Sequence, residues 1–204
     1  MILKGVKNII FDFGGIIIDI DYSAVKQAFI DVGMRDPDKF YKHDSHAKIV
    51  EDFECGLVSP AKFREEIISD MVSPINYDAF DTAWNAIIKT IPRKRVELID
   101  ELSKKYRVFL LSNTNSIHYN KYTSEFRETY KRELIDLFDK AYFSFEMKLR
   151  KPDKQIFDKV LKTENLIANE TLFVDDSEIN IEAAKSVGLK VLYKPQKEEL
   201  TDFF

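Results

Sequence analysis

Apolar residues along the chain fall into two kinds of run. "VKNIIFDF" (6–13) is short, β-branched and aromatic, with no polar face, which predicts a strand buried on both sides. "YRVFLLSN" (106–113) and "TLFVDD" (171–176) read the same way, and "KAYFSFE" (140–146) and "GLKVLYK" (188–194) add two further strands. Between them the spacing turns helical, in 93–105, 153–165 and 178–187. Alternation of this sort predicts a parallel sheet with helices on both faces, an α/β core. Residues 22–90 differ. "SAVKQAFIDVG", "PAKFREEIISDMV" and "YDAFDTAWNAIIK" are helical, and no convincing strand lies among them. The pattern therefore predicts a discontinuous core, 1–18 and 92–204, interrupted by a helical insert over 19–91.

Composition narrows the classes. At 204 residues, 45% hydrophobic and 32% charged, the chain can bury a sizeable core. A net charge of −4 offers no basic field, so nucleic acid is not an expected partner. The one cysteine, Cys55, forms no intrachain disulfide and reads as a small core or loop residue in a reducing compartment. No stretch reaches the ~20 apolar residues of a membrane span, and Asp12 interrupts the first apolar run, which makes a poor signal peptide. The expectation is a cytoplasmic protein, monomeric or weakly dimeric.

Three predicted strands end on polar residues: Asp12, then Ser112 and Asn113, then Asp175 and Asp176. In a parallel sheet those ends share one edge, where ligands of such folds bind. Lys151, just before Pro152 at the start of a helix, adds a fourth member. Clustered carboxylates repel unless a cation sits among them. Hard oxygen ligands favour Mg²⁺, which leaves room for substrate phosphate and water. Ser112, Asn113 and Lys151 would supply donors and charge to phosphoryl oxygens, and an aspartate held there can act as a nucleophile. Taken singly, each motif has a plain structural explanation as a turn, a cap or a helix start. In this order, each at a strand end or helix start, they are hard to explain that way together.

Together "IIFDFGGIII", "VFLLSNTN", "LRKPDKQIF" and "LFVDDSEINIEAAKSVGLKV" resemble the four motifs of the haloacid dehalogenase-like hydrolases. That family is dominated by Mg²⁺-dependent phosphatases with a Rossmann-like core and an inserted cap, which the helical insert resembles. The resemblance implies Asp12 as nucleophile and Lys151 as its catalytic partner. It implies Ser112, Asn113 and Lys151 as phosphate binders, and Asp12, the Gly14 carbonyl and Asp176 as metal ligands. Asp175 and Asn180 would support them. "FDFGGIIIDID", "LSNTNSIH" and the ending "DFF" look most like the bacterial sugar-phosphate phosphatases, which include α-glucose-1-phosphate phosphatases. The implied reaction is hydrolysis of a small phosphorylated metabolite through an aspartyl-phosphate.

One position departs from the pattern. The family usually has an aspartate two residues after the nucleophile, whose side chain protonates the leaving alcohol. Gly14 keeps the carbonyl and lacks the acid, and general acid–base help is worth roughly 10²–10⁴-fold. The enzyme would be slow, use another acid (Asp175, Asp19, Asp21 and His43 are candidates), or prefer a more acidic leaving group such as an anomeric sugar hydroxyl. Two alternatives stay open: a metal-independent 2-haloacid dehalogenase, which usually lacks that acid too, and a catalytically weak regulatory or binding member of the family. His46 and His118 read as surface or loop residues. Trp84, Phe80 and Phe63 read as packing inside the insert.

Overall fold

The computed structural model describes residues 3–40 and 45–204. Five parallel strands form one sheet in the order β3-β2-β1-β4-β5: β1 Asn8–Phe11, β2 Arg107–Ser112, β3 Lys140–Phe143, β4 Thr171–Asp175 and β5 Lys190–Tyr193. The register sets Phe11 beside Leu110 on one flank and Val174 on the other. With every strand parallel, their carboxyl ends share one edge. The chain leaves central β1 to build one flank and returns to build the other. That reversal opens a crevice at the carboxyl edge.

The period of two in the strands sorts their side chains between two cores. Ile9, Phe11, Val108, Leu110, Leu172 and Val174 face one layer, which contains Val96, Ile99 and Leu102 of α5 (Arg93–Ser103) and Tyr122 and Phe126 of α6 (Ser116–Tyr130). Ile10, Phe109, Leu111 and Phe173 face the other, against Met147 of the short α7 (Ser144–Met147), α8 (Lys154–Thr163) and α9 (Glu178–Ser186). Burial on both faces is why these strands carry no alternation of polar residues.

Between β1 and α5 the named elements are all helical: α1 (Tyr22–Asp31), α2 (Ser45–Glu54), α3 (Pro60–Ser69) and α4 (Tyr77–Trp84), with short 3₁₀ turns. Three of them start on a side-chain cap. Asp21 accepts from the Ser23 and Ala24 amides, Ser59 from Lys62 and Asn76 from Ala79. Their apolar faces close on a separate cluster of Phe29, Phe53, Phe63, Phe80 and Trp84, joined from the sheet side by Ile117. Phe53 and Phe63 stack at 4.3 Å between ring centroids. The chain crosses into this helical unit and back through two segments that pair with each other. The Asp19 amide donates to Thr90 O, and the Lys89 amide to Asp19 O.

The sequence pattern offered no helix over 116–130. It is rich in aromatic and β-branched residues, which are modest helix formers. Tertiary burial of Ile117, Tyr122 and Phe126 and the fully buried cap Asn115 make it a helix. Asn115 Oδ1 accepts from the Ile117 and His118 amides.

Near the carboxyl edge, buried Arg95 ties three segments together. It donates to Glu199 Oε1 at 2.9 Å and to Ile17 O at 3.3 Å, and pairs with Asp19 at 2.8 Å. Arg95 and Lys94 hold the Glu199 carboxyl down at about 2, from an ordinary 4.5. A depressed carboxylate stabilises the fold fully above its unfolded pKa and loses that contribution as pH falls through the folded one. Glu199→Gln is therefore expected to cost about 1–2 kcal/mol at pH 7, because Glu199 remains partly open to solvent. That is a drop in Tm of about 3–6 °C. The gap between variant and wild type should close as pH falls from about 4.5 towards 2, measured by thermal unfolding across that range.

Candidate active site

β1 ends at Phe11, and Asp12 is the first residue beyond it, its amide donating to Val174 O of β4 at 2.9 Å. The chain then folds back on itself: the Ile17 and Ile18 amides both donate to Phe13 O, and Gly15 N donates to Ile18 O. Gly15 has φ +71°, and a Cβ there would lie 2.2 Å from Asp176 Oδ2. Any side chain at 15 would strike the acid of the neighbouring loop. Gly14 is under no such constraint. Its φ is ordinary, and a Cβ would meet only Ile20 Cδ1 at 3.5 Å, a normal contact. The missing acid at 14 is therefore not forced by crowding at its Cβ.

Lys151 comes in from the loop before α8 and is buried, with 1% of its surface exposed. Its Nζ lies 2.6 Å from Asp12 Oδ1 and 2.8 Å from Asp175 Oδ2. Asn113 positions it. The Asn113 Oδ1 accepts from Lys151 N at 2.9 Å, and Asn113 Nδ2 donates to Lys151 O at 2.8 Å. Asp175 is held in turn by Asn180 Nδ2, which reaches both carboxylate oxygens at 3.1 Å, and by the Ser177 amide at 2.8 Å. Asp176 points to the cavity side and accepts from Gln196 Nε2 at 2.8 Å. Buried Ser112 ends β2 beside them.

Oxygens of Asp12, Asp175 and Asp176 all lie within 4.8 Å of one another. Burial pushes the Asp12 carboxyl up to about 7, against the pull of Lys151 and with help from Asp175. Burial also raises Asp176. Three carboxylates face one ammonium, so the cluster is two positive charges short when ionised. A divalent cation supplies that difference, and an all-oxygen donor set of this kind suits Mg²⁺. Asp12 and Asp176 have oxygens to offer it, and the Gly14 carbonyl lies on the same cavity wall. Asp175 is spent on Lys151, Asn180 and Ser177.

The cluster floors a cavity of about 600 Å³. Its walls are largely apolar, with Ile18, Ile20, Val50, Trp84 and Ile88, and the helical unit forms the roof. Ser112, Asn113, Lys151, Asp12, Gly14, Asp176 and Asn180 all line it. Asp175, fully buried, sits behind Lys151.

The candidates for a substitute acid fare differently. Asp19 is paired with Arg95, and Asp21 caps α1 with its carboxyl held low by Ser23 and Ala24. Neither lines the cavity. Asp175 is enclosed in its ion pair. His43 lies outside the described residues, and His46 is on α2. His118 is not a surface residue. It stacks on Trp84 at 5.0 Å between ring centroids, its Nε2 meets Trp84 O at 3.0 Å, and its Nδ1 meets Asn115 Nδ2 at 3.1 Å. Burial lowers it to about 4, so the ring is neutral, donating from Nε2 and accepting at Nδ1. Trp84 packs inside the helical unit as expected and also faces the cavity.

Sequence reasoning missed Gln196, Glu54 and Arg150. Gln196 follows the last strand and carries no motif signal. Glu54 and Arg150 both line the cavity and pair at 3.0 Å. Arg150 adjoins Lys151 in "LRKPD", which was its one available signal.

A model of haloacid dehalogenase-like hydrolases matches residues 6–188. The chain is 33% identical over 201 residues to D-ribitol-5-phosphate phosphatase of Bacteroides thetaiotaomicron, covering 96% of this chain and 97% of that protein. A haloacid dehalogenase family enzyme from the same organism, solved in complex with magnesium and inorganic phosphate, superimposes with a TM-score of 0.91. It is 33% identical and the match covers 98% of this chain and 99% of that one. A predicted haloacid dehalogenase-like hydrolase from Porphyromonas gingivalis gives a TM-score of 0.87 at 28% identity, covering 95% and 93%. With the matched region spanning both the sheet and the helical unit, the chain belongs to the haloacid dehalogenase-like hydrolases.

Proposed function

We propose that this chain hydrolyses phosphomonoesters of small polyhydroxy compounds with the help of Mg²⁺, and that the residues at the carboxyl edge do the work as follows. The observation that carries the reading is the buried Asp12–Lys151–Asp175 contact beside Asp176 at the cavity floor. Asp12 attacks phosphorus in line with the departing ester oxygen and becomes an aspartyl-phosphate, which water then hydrolyses. Lys151 fixes the direction of the Asp12 carboxylate and offers charge to the phosphoryl oxygens. Ser112 and the Asn113 backbone, both on the cavity wall, would take those oxygens; the Asn113 side chain is engaged on Lys151. Asp12, Asp176 and the Gly14 carbonyl hold Mg²⁺. When bound, the ion neutralises charge on the nucleophile and the phosphoryl group. Asp175 and Asn180 keep Lys151 and the loop in place. The helical unit acts as the cap, excluding water and framing the alcohol.

The substrate class draws on the relative named for D-ribitol 5-phosphate. A cavity of about 600 Å³ has room for a phosphate and a short polyol. The dehalogenase alternative has no use for the third carboxylate of the cluster.

Purified protein should release phosphate from p-nitrophenyl phosphate and from ribitol 5-phosphate. Asp12→Asn is expected to lower kcat at least about 10³-fold with the fold intact. Full activity in that variant would overturn the assignment. Chelation should abolish phosphate release and added Mg²⁺ restore it; phosphate release that survives EDTA would overturn the Mg²⁺ assignment, whereas the dehalogenase alternative predicts halide release from a 2-haloacid in EDTA and no phosphate release from either ester. Gln196→Ala should raise the Mg²⁺ concentration for half-maximal rate by about tenfold, since it releases the outer hydrogen bond on Asp176.

A further inference from the structure

Gly14 leaves the phosphatase reading without a proton donor for the departing alcohol, and a polyol 5-phosphate leaves as a primary alkoxide, which needs one. The titratable groups lining the cavity can be taken in turn. Asp12 and Asp176 belong to the nucleophile and the cation. Lys151 is locked between two carboxylates. Both nitrogens of His118 are engaged. Burial drives the Tyr122 hydroxyl up, away from useful acidity. Tyr22 is half exposed on the rim. Glu51 and Glu54 both pair with Arg150, but Glu51 stands about half in solvent and Glu54 is enclosed. Glu54 is the one that remains.

Glu54 is the last residue of α2. Its Oε2 is shut from solvent and receives no directed hydrogen bond; Arg150 Nη2 lies 3.0 Å away as an ion-pair partner. Arg150 Nε is likewise shut from solvent and has no acceptor among the described residues. A carboxylate oxygen shut from solvent, its one contact the ion pair with Arg150, and a buried N–H with no acceptor among the described residues thus sit on one wall of the cavity. Natural interiors rarely tolerate such atoms without a ligand or water to complete them. The height of this wall is fixed. Gly56, two residues on, has φ +60° and approaches Phe145 O so closely that a Cβ would lie 2.2 Å from it, and Lys148 Nζ donates to Gly56 O at 2.5 Å. The end of α2 is thereby pinned to the short helix after β3, Ser144–Met147, and its C-cap Lys148, three residues before Lys151. Charged groups facing Glu54 are Arg150 and Lys151 from that loop and Glu51 from its own helix. Burial nevertheless raises its carboxyl above the ordinary range, with Arg150 opposing. A carboxyl moved in that direction is better suited to carry a proton at working pH.

We infer that Glu54, supplied by the cap, is the acid–base group that position 14 lacks; the inference rests on the phosphatase reading. In the first step Asp12 Oδ bonds to phosphorus and the bond from phosphorus to the ester oxygen breaks. Its electron pair stays on that oxygen, which takes the proton of the Glu54 carboxyl and leaves as the alcohol. In the second step water attacks phosphorus and gives its proton to the Glu54 carboxylate. The bond to Asp12 breaks with its electrons returning to Asp12, phosphate departs, and both carboxyls are back in their starting forms.

The test compares kcat/KM, which covers only the first step, for two esters with Mg²⁺ present. Nitrophenolate leaves without protonation, whereas the ribitol alkoxide does not. Glu54→Gln is expected to lower kcat/KM for ribitol 5-phosphate about 10²-fold, to change it less than about threefold for p-nitrophenyl phosphate, and to remove the alkaline fall in the ribitol 5-phosphate pH profile. Glu54→Asp should recover part of the loss. Equal losses on both esters would mean that Glu54 only positions the cap, and no loss on either would mean that it takes no part. Either result overturns the inference while leaving the phosphatase reading standing. A wild-type protein inactive on both esters would overturn that reading, and the Glu54 assignment with it.

Discussion

A lysine ammonium buried between two carboxylates is the contact on which the site is built. Isolated in the interior, Lys151 would be too costly to keep charged, and Asp12 and Asp175 would repel each other. Together they bring three distant parts of the chain to one point, at residues 12, 151 and 175. Each member is then supported by something else: Asn113 on the main chain of Lys151, and Asn180 and the Ser177 amide on Asp175. Asp12, held by Lys151 through Oδ1, also lines the cavity. The sheet makes this possible, because its parallel strands deliver these loops to one edge.

Much of this could be read in the sequence. Strands buried on both faces give uninterrupted apolar runs, so all five were visible, and the polar residues closing three of them marked the edge where chemistry gathers. Two things were hidden, for different reasons. Helix α6 was hidden because its residues are poor helix formers, and burial of Ile117, Tyr122 and Phe126 decides its state. The cap side of the site was hidden because no sequence period reports which helix ends meet across a cavity. Glu54 stands in "FECGL" with nothing local to separate it from any acid at a helix end. Asn113 was legible as a polar residue at a strand end, and its side chain is turned to the Lys151 backbone. That detail depends on a loop 38 residues away.

The two glycines after Asp12 look alike in sequence and differ in kind. Gly15 is dictated by geometry, since Asp176 occupies the space its side chain would need. Gly14 has ordinary backbone and ordinary neighbours. A proton donor placed there would travel with the sheet, always beside Asp12. On the other side of the cavity, a group on α2 is carried by the helical insert and not by the sheet.

Asn115 joins the two halves of the molecule in a way that reaches beyond helix capping. The same Oδ1 that starts α6 also accepts from Trp84 Nε1 at 3.4 Å, and its Nδ2 meets the His118 ring. Trp84 closes the last α-helix of the insert, and Asn115 lies three residues past Ser112, the end of β2. A sideways shift of the helical insert would therefore be felt within three residues of Ser112 and Asn113. Wedging the indole away would report there as an altered amide environment, making position 84 a built-in fluorescent gauge of whether the chamber is shut.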